Sequence, residues 1–404
     1  MPPKQQGQTV TVAFKKQPAL GTPATGAGGT GLEVRASAGL ALAVATIESA
    51  MFRRNKTKLR PRHGMKTVTT AYETELQVGN CDGIFAGVLG TTAAASFTVT
   101  EIDVTSMTIT GTGTVLTGAS GSFITKGVRA GMMGKFTNMS VSANNGVWFP
   151  ILSVTASVLT VPTGPLVDNA ADIAFTLTIA KSFSTPTPYV EGYYTWEERL
   201  GEITTPISKL GVDMKFHSLN ITANPTGPVT VGFSLTGTDM TAPSGAASLT
   251  SPVYNAQTNP TSLVCLDGAI YRNGIAIVDL TGFTFGLAAP VSLVPVLGSR
   301  LSPDVFLGNW VLTGNFTQLI GDGLAIANFL AEDVISVFLH CAEREINAAG
   351  PDFVSFYLGN CSFGGWTAPI SEGAMTQTMT LLGGSDSRGT GYADSAMLIS
   401  TSAA

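Results

Sequence analysis

Charge is scarce in this chain. Of 404 residues only 12% are Asp, Glu, Lys or Arg, and the formal net charge is −5. A protein whose purpose is to grip nucleic acid concentrates cations over one domain or face, so this balance argues against that class. An acidic wall would instead let DNA slide past without sticking. Histidine is scarcer still: His63, His217 and His340 make up the whole complement, little material for acid–base or metal chemistry. His340 adjoins Cys341 on an apolar strand, where neighbouring side chains point to opposite faces, so no Cys–His dyad is expected there. The four cysteines, Cys81, Cys265, Cys341 and Cys361, include no C-x-x-C pair. Neither a zinc site nor a disulfide framework follows from that spacing, and reduced, buried thiols suited to a cytoplasm are expected. The start, MPPKQQGQ, has no basic stretch leading into an apolar core, so no secretory signal is expected. The longest apolar run, Ala38 to Ile47, is about half a membrane span, and no membrane association is expected.

What the chain does have is Gly, Thr, Ser and Ala in quantity, with short alternating segments between turn signals. Its length suffices for two domains and a sizeable core. Val10, Val12 and Phe14 alternate as a strand, and Gln17 to Gly31, rich in Gly, Pro, Ala and Thr, reads as an extended or mobile arm. From Thr91 to about Phe183 the texture becomes Thr/Ser/Gly/Val-rich. Short strands are predicted there around Phe97 and Val99, Met107 and Ile109, Leu152 and Val154, and Ile173, Phe175, Leu177 and Ile179. Gly127-Val128-Arg129-Ala130-Gly131 looks like a tight corner of a small barrel.

Beyond Glu191, Val212, Met214 and Phe216 face one way while Leu219, Ile221 and Ala223 continue in the opposite phase, which predicts a bulge near His217-Ser218. Val229, Val231, Phe233 and Leu235 return as a hairpin partner. Further strands are predicted at Ala276, Val278 and Leu280; Phe283, Phe285 and Leu287; Trp310, Leu312 and Phe316; Ile335, Val337 and Leu339; and Phe353 to Leu358. Two short helices are predicted, Asp82 to Leu89 and Asp322 to Glu332, each with an Asp at the capping position. The second should present Leu324, Phe329 and Leu330 on one face.

Two patterns could carry chemistry. Gly26, Gly28 and Gly31 spell G-x-G-x-x-G, but a dinucleotide loop needs a buried strand before it and a helix opening on it. Pro18 and Pro23 precede it instead. Glu197-Glu198, Glu202, Glu332-Asp333 and Glu343 with Glu345 could supply a carboxylate pair, yet solvated or interface charges are the better reading. No enzyme activity, cofactor or metal site is expected.

One segment stands apart. Between Glu48 and Glu73 lie Arg53, Arg54, Lys56, Lys58, Arg60, Arg62 and Lys66 with no acid among them. Such segregation marks a surface that meets another surface. Three readings stay open: contact with acids of a neighbouring subunit, a solvated loop, or phosphate binding. The last is the weakest, because the run lacks interleaved aromatics beyond Phe52 and a strong phosphate grip would oppose passage. Glu197, Glu198, Glu202, Glu332, Asp333 and Asp352 are candidate partner acids.

The order of features here resembles the tail tube proteins of long-tailed, siphovirus-like bacteriophages. The charged strand is followed by Arg62-His63-Gly64, read as a turn, then a strand ending in Glu73-x-Glu75-Leu76, then a small helix closed by Leu89-Gly90. The resemblance extends over Glu191 to Met240 and Phe283 to Ser400. It implies a mainly β fold, a β-sandwich or flattened barrel with one or two short flanking helices. The domains expected are an N-terminal strand and flexible arm (1–45), a tail tube β domain (46–90 with 191–404), and an inserted all-β barrel-like domain (91–190) on the outer surface.

The resemblance also implies a virion protein, assembled in the host cytoplasm into stacked hexameric rings that conduct double-stranded DNA. Tape measure, tail terminator and tip proteins are the partners implied. The arm 17–31 and the basic segment are expected at inter-ring contacts, and the lumen wall is expected to be acidic or neutral. Two competitors remain: another structural virion protein, such as a terminator or capsid decoration subunit, and a carbohydrate-binding module using Trp148 and Phe149 of the inserted barrel.

Overall fold

A computed structural model describes residues 10–51, 54–250, 252–253, 262–321, 323–343, 352–370 and 372–402. The molecule is mainly β, as expected, with two short α-helices among the described residues. Its main sheet is antiparallel. It runs from Ala41–Ile47 through Arg62–Glu75, Thr230–Gly237, the C-terminal half of Ile207–Ala223, Leu280–Ala288, Val311–Leu319, Thr376–Gly384, Phe353–Thr367 and Ile335–Ala342 to Val264–Arg272. The path curls back on itself at one corner. There the Val229 N–H donates to the Leu263 carbonyl at 3.0 Å and the Leu263 N–H to that of Leu76 at 2.8 Å, so the sheet is a flattened, nearly closed barrel.

The predicted bulge is present: pairing with Thr230–Gly237 slips between Phe216 and Ser218. A one-residue slip exchanges the faces of a strand, and here it keeps Met214 and Phe216 as well as Leu219 and Ile221 in the core. Before the bulge the same strand pairs with Tyr194–Leu200 and Asp239–Ser244, and Tyr194–Leu200 pairs in turn with Val10–Lys16. Aromatic rings fill the space between these layers. Phe14 stacks on Trp196 with centroids 5.3 Å apart, and Trp196 lies 5.0 Å from Tyr72.

The helix Asp82–Leu89 buries Ile84, Phe85, Val88 and Leu89 on this core. Asp82 does not cap it. Cys81 holds the capping position and Asp82 is the first helical residue, where it pairs with Lys181 at 2.8 Å. Burial pushes the Asp82 carboxyl above its ordinary value, partly offset by Lys181. Gly83 and Gly87 share the helix face against the sheet: a Cβ on Gly83 would meet the Phe14 ring at 2.8 Å, and one on Gly87 the Phe216 ring at 2.5 Å. The second helix is Leu324–Leu330 with Gly323 before it, while Asp322 lies outside the described residues. Its packed face is also not the expected one. Ala325 is buried and Phe329 partly so, whereas Leu324 and Leu330 are exposed.

Between residues 97 and 179 two small sheets of four and five strands enclose a second core containing Phe123, Phe136, Phe149 and Phe175. Its strands include Phe97–Thr100, Met107–Thr110, Met133–Thr137 and Thr176–Ile179. Ile173 departs from the expected alternation. The chain kinks at Asp172, whose carboxylate accepts the N–H groups of Ser140 and Ala174, and Ile173 is left 72% exposed. The second core is continuous with Phe338, Ala342, Phe353, Tyr357 and Leu398 of the main sheet. Ile335–Ala342 and Phe353–Leu358 are therefore covered on both sides, which explains why they read as almost unbroken apolar runs. Val278 also differs from expectation: it is 88% exposed, and the neighbouring Ile277 turns inward instead.

His340 sits on one of these doubly covered strands, its ring 5.2 Å from Phe353 and its Nδ1 sealed without a partner. Burial lowers its pKa from 6.5 to about 4, so it is neutral in the folded state. Because the unfolded chain takes up this proton first, stability is lost as pH falls from 6.5 toward about 4. Denaturant melts across that range should show this slope, and His340→Phe should flatten it. In the helix, Gly87→Val should cost about 1–3 kcal/mol by overpacking, read as a lower denaturation midpoint.

Candidate assembly surface

The basic segment forms the end of a hairpin whose strands are Ala41–Ile47 and Arg62–Glu75. Arg62-His63-Gly64 is not a turn, as the sequence suggested. Arg62 and His63 pair with Ile47 and Thr46, and the register then shifts, with Gly64 and Met65 together standing opposite Ala45. A Cβ on Gly64 would be tightly packed, 3.2 Å from the Ile47 side chain and 3.3 Å from the Ala45 carbonyl oxygen. Ala41–Ile47 is exposed along nearly its whole length and, among the described residues, its outer edge pairs with nothing. The apolar run noted in the sequence is thus an exposed strand. It is a bare strand edge carrying Leu42 and Ile47, with Met51 beyond it.

At the hairpin end, side chains hold the backbone locally. Ser49 Oγ accepts the Met51 N–H at 3.3 Å and Asn55 Oδ1 the Thr57 N–H at 3.2 Å. Of the seven singled-out cations, Arg53 lies outside the described residues. Arg54, Lys56, Arg60 and Arg62 are exposed, and among the described residues no carboxylate pairs with them. Lys58 meets Glu48 at 3.0 Å with both side chains mostly in water, a contact worth little. Lys66 is occupied within its own chain. Its Nζ is 2.7 Å from Asp239 and its N–H donates to the Arg300 carbonyl at 2.9 Å, bracing the hairpin's base.

The candidate partner acids separate into two groups. Glu197 and Glu198 are not surface charges: both are buried. A buried carboxylate persists only when its oxygens are satisfied, and these are. Glu197 accepts the N–H groups of Ser248 and Leu249 at 2.9 and 2.7 Å and also the Ser208 hydroxyl. Glu198, on the opposite face, accepts the Leu40 N–H at 2.7 Å and pairs with Lys209 at 3.0 Å. Asp352 accepts the Ser402 hydroxyl. Glu202, Glu332 and Asp333 stay exposed, and Glu345 lies outside the described residues.

The segment 17–31 is docked rather than free. The Ala24 N–H donates to Thr195 Oγ1 and that of Gly21 to Asp213 Oδ1, each at 2.7 Å. Thr30–Leu32 pairs with Val10–Lys16, and the Gly26 and Gly31 N–H groups donate to Ser248 and Val253. Two of the backbone donors of the Gly26–Gly31 motif are thereby used within the chain. Among the described residues no group of three or more His, Cys, Asp or Glu could hold a metal, and no helix is long and apolar enough to cross a membrane. The aromatics considered for a glycan are also engaged. Phe149 is fully buried, and Trp148 packs on Phe353 with the Lys135 ammonium 4.6 Å from its ring.

The site is a β body with a bare strand edge, a basic hairpin end and buried acids spent on its own backbone, an arrangement without catalytic geometry among the described residues. The chain belongs to the family of phage tail tube proteins, whose description, "Phage tail tube protein", matches over residues 7–340. No curated protein matches it. It is therefore a structural component of the phage tail, a virion protein that assembles into a tube with other tail components, in a family that is not one of enzymes.

Glu197→Ala would leave the Ser248 and Leu249 N–H groups buried and unpaired. A loss of about 1–3 kcal/mol is expected, measured by chemical denaturation.

Proposed function

We propose that this chain builds hexameric rings that stack into a hollow tube, the conduit for double-stranded DNA during ejection. The observation that carries the reading is the hairpin Ala41–Ile47 with Arg62–Glu75, a strand edge and both its faces held out in water with four cations unpaired at its end. An uncovered edge invites pairing with another chain, and unlike contacts along an axis stack rings without limit. In this reading Arg54, Lys56, Arg60 and Arg62 meet acids of the next ring, with Glu202, Glu332 and Asp333 as the exposed candidates. Lys58 and Lys66 contribute less because each already has a partner in its own chain.

Residues 91–190 form the inserted domain of this proposal, on the outer wall. Its ends support that assignment: a Cβ on Gly90 would lie 2.6 Å from the Val190 carbonyl oxygen, so the segment leaves and re-enters at one point. The lumen is lined by acidic or neutral side chains that phosphates slide past. Tape measure, terminator and tip proteins complete the tail, and assembly takes place in the host cytoplasm.

Electron microscopy of the concentrated protein should show hollow, six-fold tubes. The triple variant Arg54→Glu, Lys56→Glu, Arg60→Glu should keep its melting temperature, since among the described residues these exposed side chains hold no ion pair, yet fail to form tubes. Tubes of normal length from that variant would remove the hairpin from the interface. Closed single rings from the unaltered protein would favour a terminator.

A further inference from the structure

The cysteines are far apart in sequence, but two of them meet in the fold. Val264 pairs with Ala342 across antiparallel strands, and one residue inward Cys265 faces Cys341 with their sulfurs 3.3 Å apart. Both are free thiols in this structure. A disulfide holds its sulfurs about 2.05 Å apart, and the two thiols already lie within hydrogen-bond distance of each other. We propose that Cys265 and Cys341 are a cross-linking site, reduced when the chain folds and converted to an intrachain disulfide by a peroxide-class oxidant.

Access and order follow from the surroundings. Cys265 is half-buried and lines a surface groove of about 280 Å³ with Leu266, Gly268 and Phe283, wide enough for hydrogen peroxide. Cys341 is sealed beneath it, and its thiol is held well above the ordinary value by the hydrogen bond with Cys265 and by burial. Cys265 therefore reacts first. Its sulfur attacks one peroxide oxygen, the O–O bond breaks, and a sulfenic acid and one water form. The Cys341 sulfur then attacks the Cys265 sulfur, the S–O bond breaks, and a second water departs with the remaining thiol proton. The two sulfurs together give up two electrons and the peroxide takes them.

The other thiols take no part. Cys81 and Cys361 are buried, and burial pushes each up to about 12. The bond would fasten the start of Val264–Arg272 where its ladder to Ile335–Ala342 is interrupted, between Val264 and Ala269. This inference does not depend on tube formation.

The purified full-length chain, treated with hydrogen peroxide and quenched, provides the test. Thiol titration in denaturant should fall from four to two per chain, and non-reducing peptide mapping should recover a Cys265–Cys341 peptide lighter by two hydrogens. Dithiothreitol should restore all four thiols, and Cys265→Ser should abolish the cross-link while keeping three. Persistence of four thiols under conditions that oxidise a small free thiol would overturn the proposal. So would conversion of Cys265 to a sulfinic acid with Cys341 intact, or a bond between chains instead of within one.

Discussion

The strand Ile207–Ala223 is the constraint on which the rest of the molecule depends. Its first half belongs to the layer made by Val10–Lys16 and Tyr194–Leu200, and its second half to the curled main sheet. A continuous pleat could not serve both, because an uninterrupted alternation would turn one half's apolar residues to the wrong side. The bulge between Phe216 and Ser218 resets the phase. Phe216 then lies between the layers, against the bared backbone of Gly87 and the rings of Tyr194 and Phe233. Helix, inner layer and main sheet converge on that one ring.

A second joint ties the segment 97–179 to the body. Gly131 takes a positive φ of 90° directly over Tyr357, where a Cβ would come within 2.3 Å of the ring. Arg388 clasps Asp386 at 2.7 Å and the Gly359 carbonyl at 2.7 Å, holding the C-terminal segment beside Tyr357. From that segment the Gly391 carbonyl accepts the Ala130 N–H. The added sheets are consequently packed core to core on Ile335–Ala342 and Phe353–Leu358, and do not hang from a linker.

Charge is distributed with a similar division of labour. Glu197, Glu198, Asp213 and Asp386 are buried and used as acceptors for backbone or paired cations. Lys215, itself buried, is held by Glu191 and Asp304. Arg54, Lys56, Arg60 and Arg62 of the hairpin end are exposed, and among the described residues no carboxylate pairs with them. A net charge of −5 therefore overstates how acidic the surface is, because part of the negative charge is spent inside. The buried acids are satisfied within the chain, and the contrast with the exposed bases is what supports the proposed contact role of the hairpin.

Much of this was legible in residue order. Alternation located the strands at Val229 to Leu235 and Phe283 to Leu287, the phase change located the bulge, and the acid-free run located the hairpin end, because each is a local pattern with a local cause. Other features depended on what lies across space. Adjacent glutamates look like surface charge until Leu40, Lys209 and the Ser248-Leu249 amides close over them from distant parts of the chain. A Gly/Pro-rich stretch looks like a free arm until Thr195 and Asp213 accept its N–H groups. Ala41–Ile47 belongs to the longest apolar run in the sequence and is nonetheless exposed, because composition along the chain reports apolarity and not cover. By itself the sequence determined the β character, the strand phases and the segregation of charge, all set by neighbours along the chain. The tertiary structure alone decided which polar groups are satisfied, which apolar edge is left bare, and that Cys265 meets Cys341, since those depend on contacts between residues far apart in the chain.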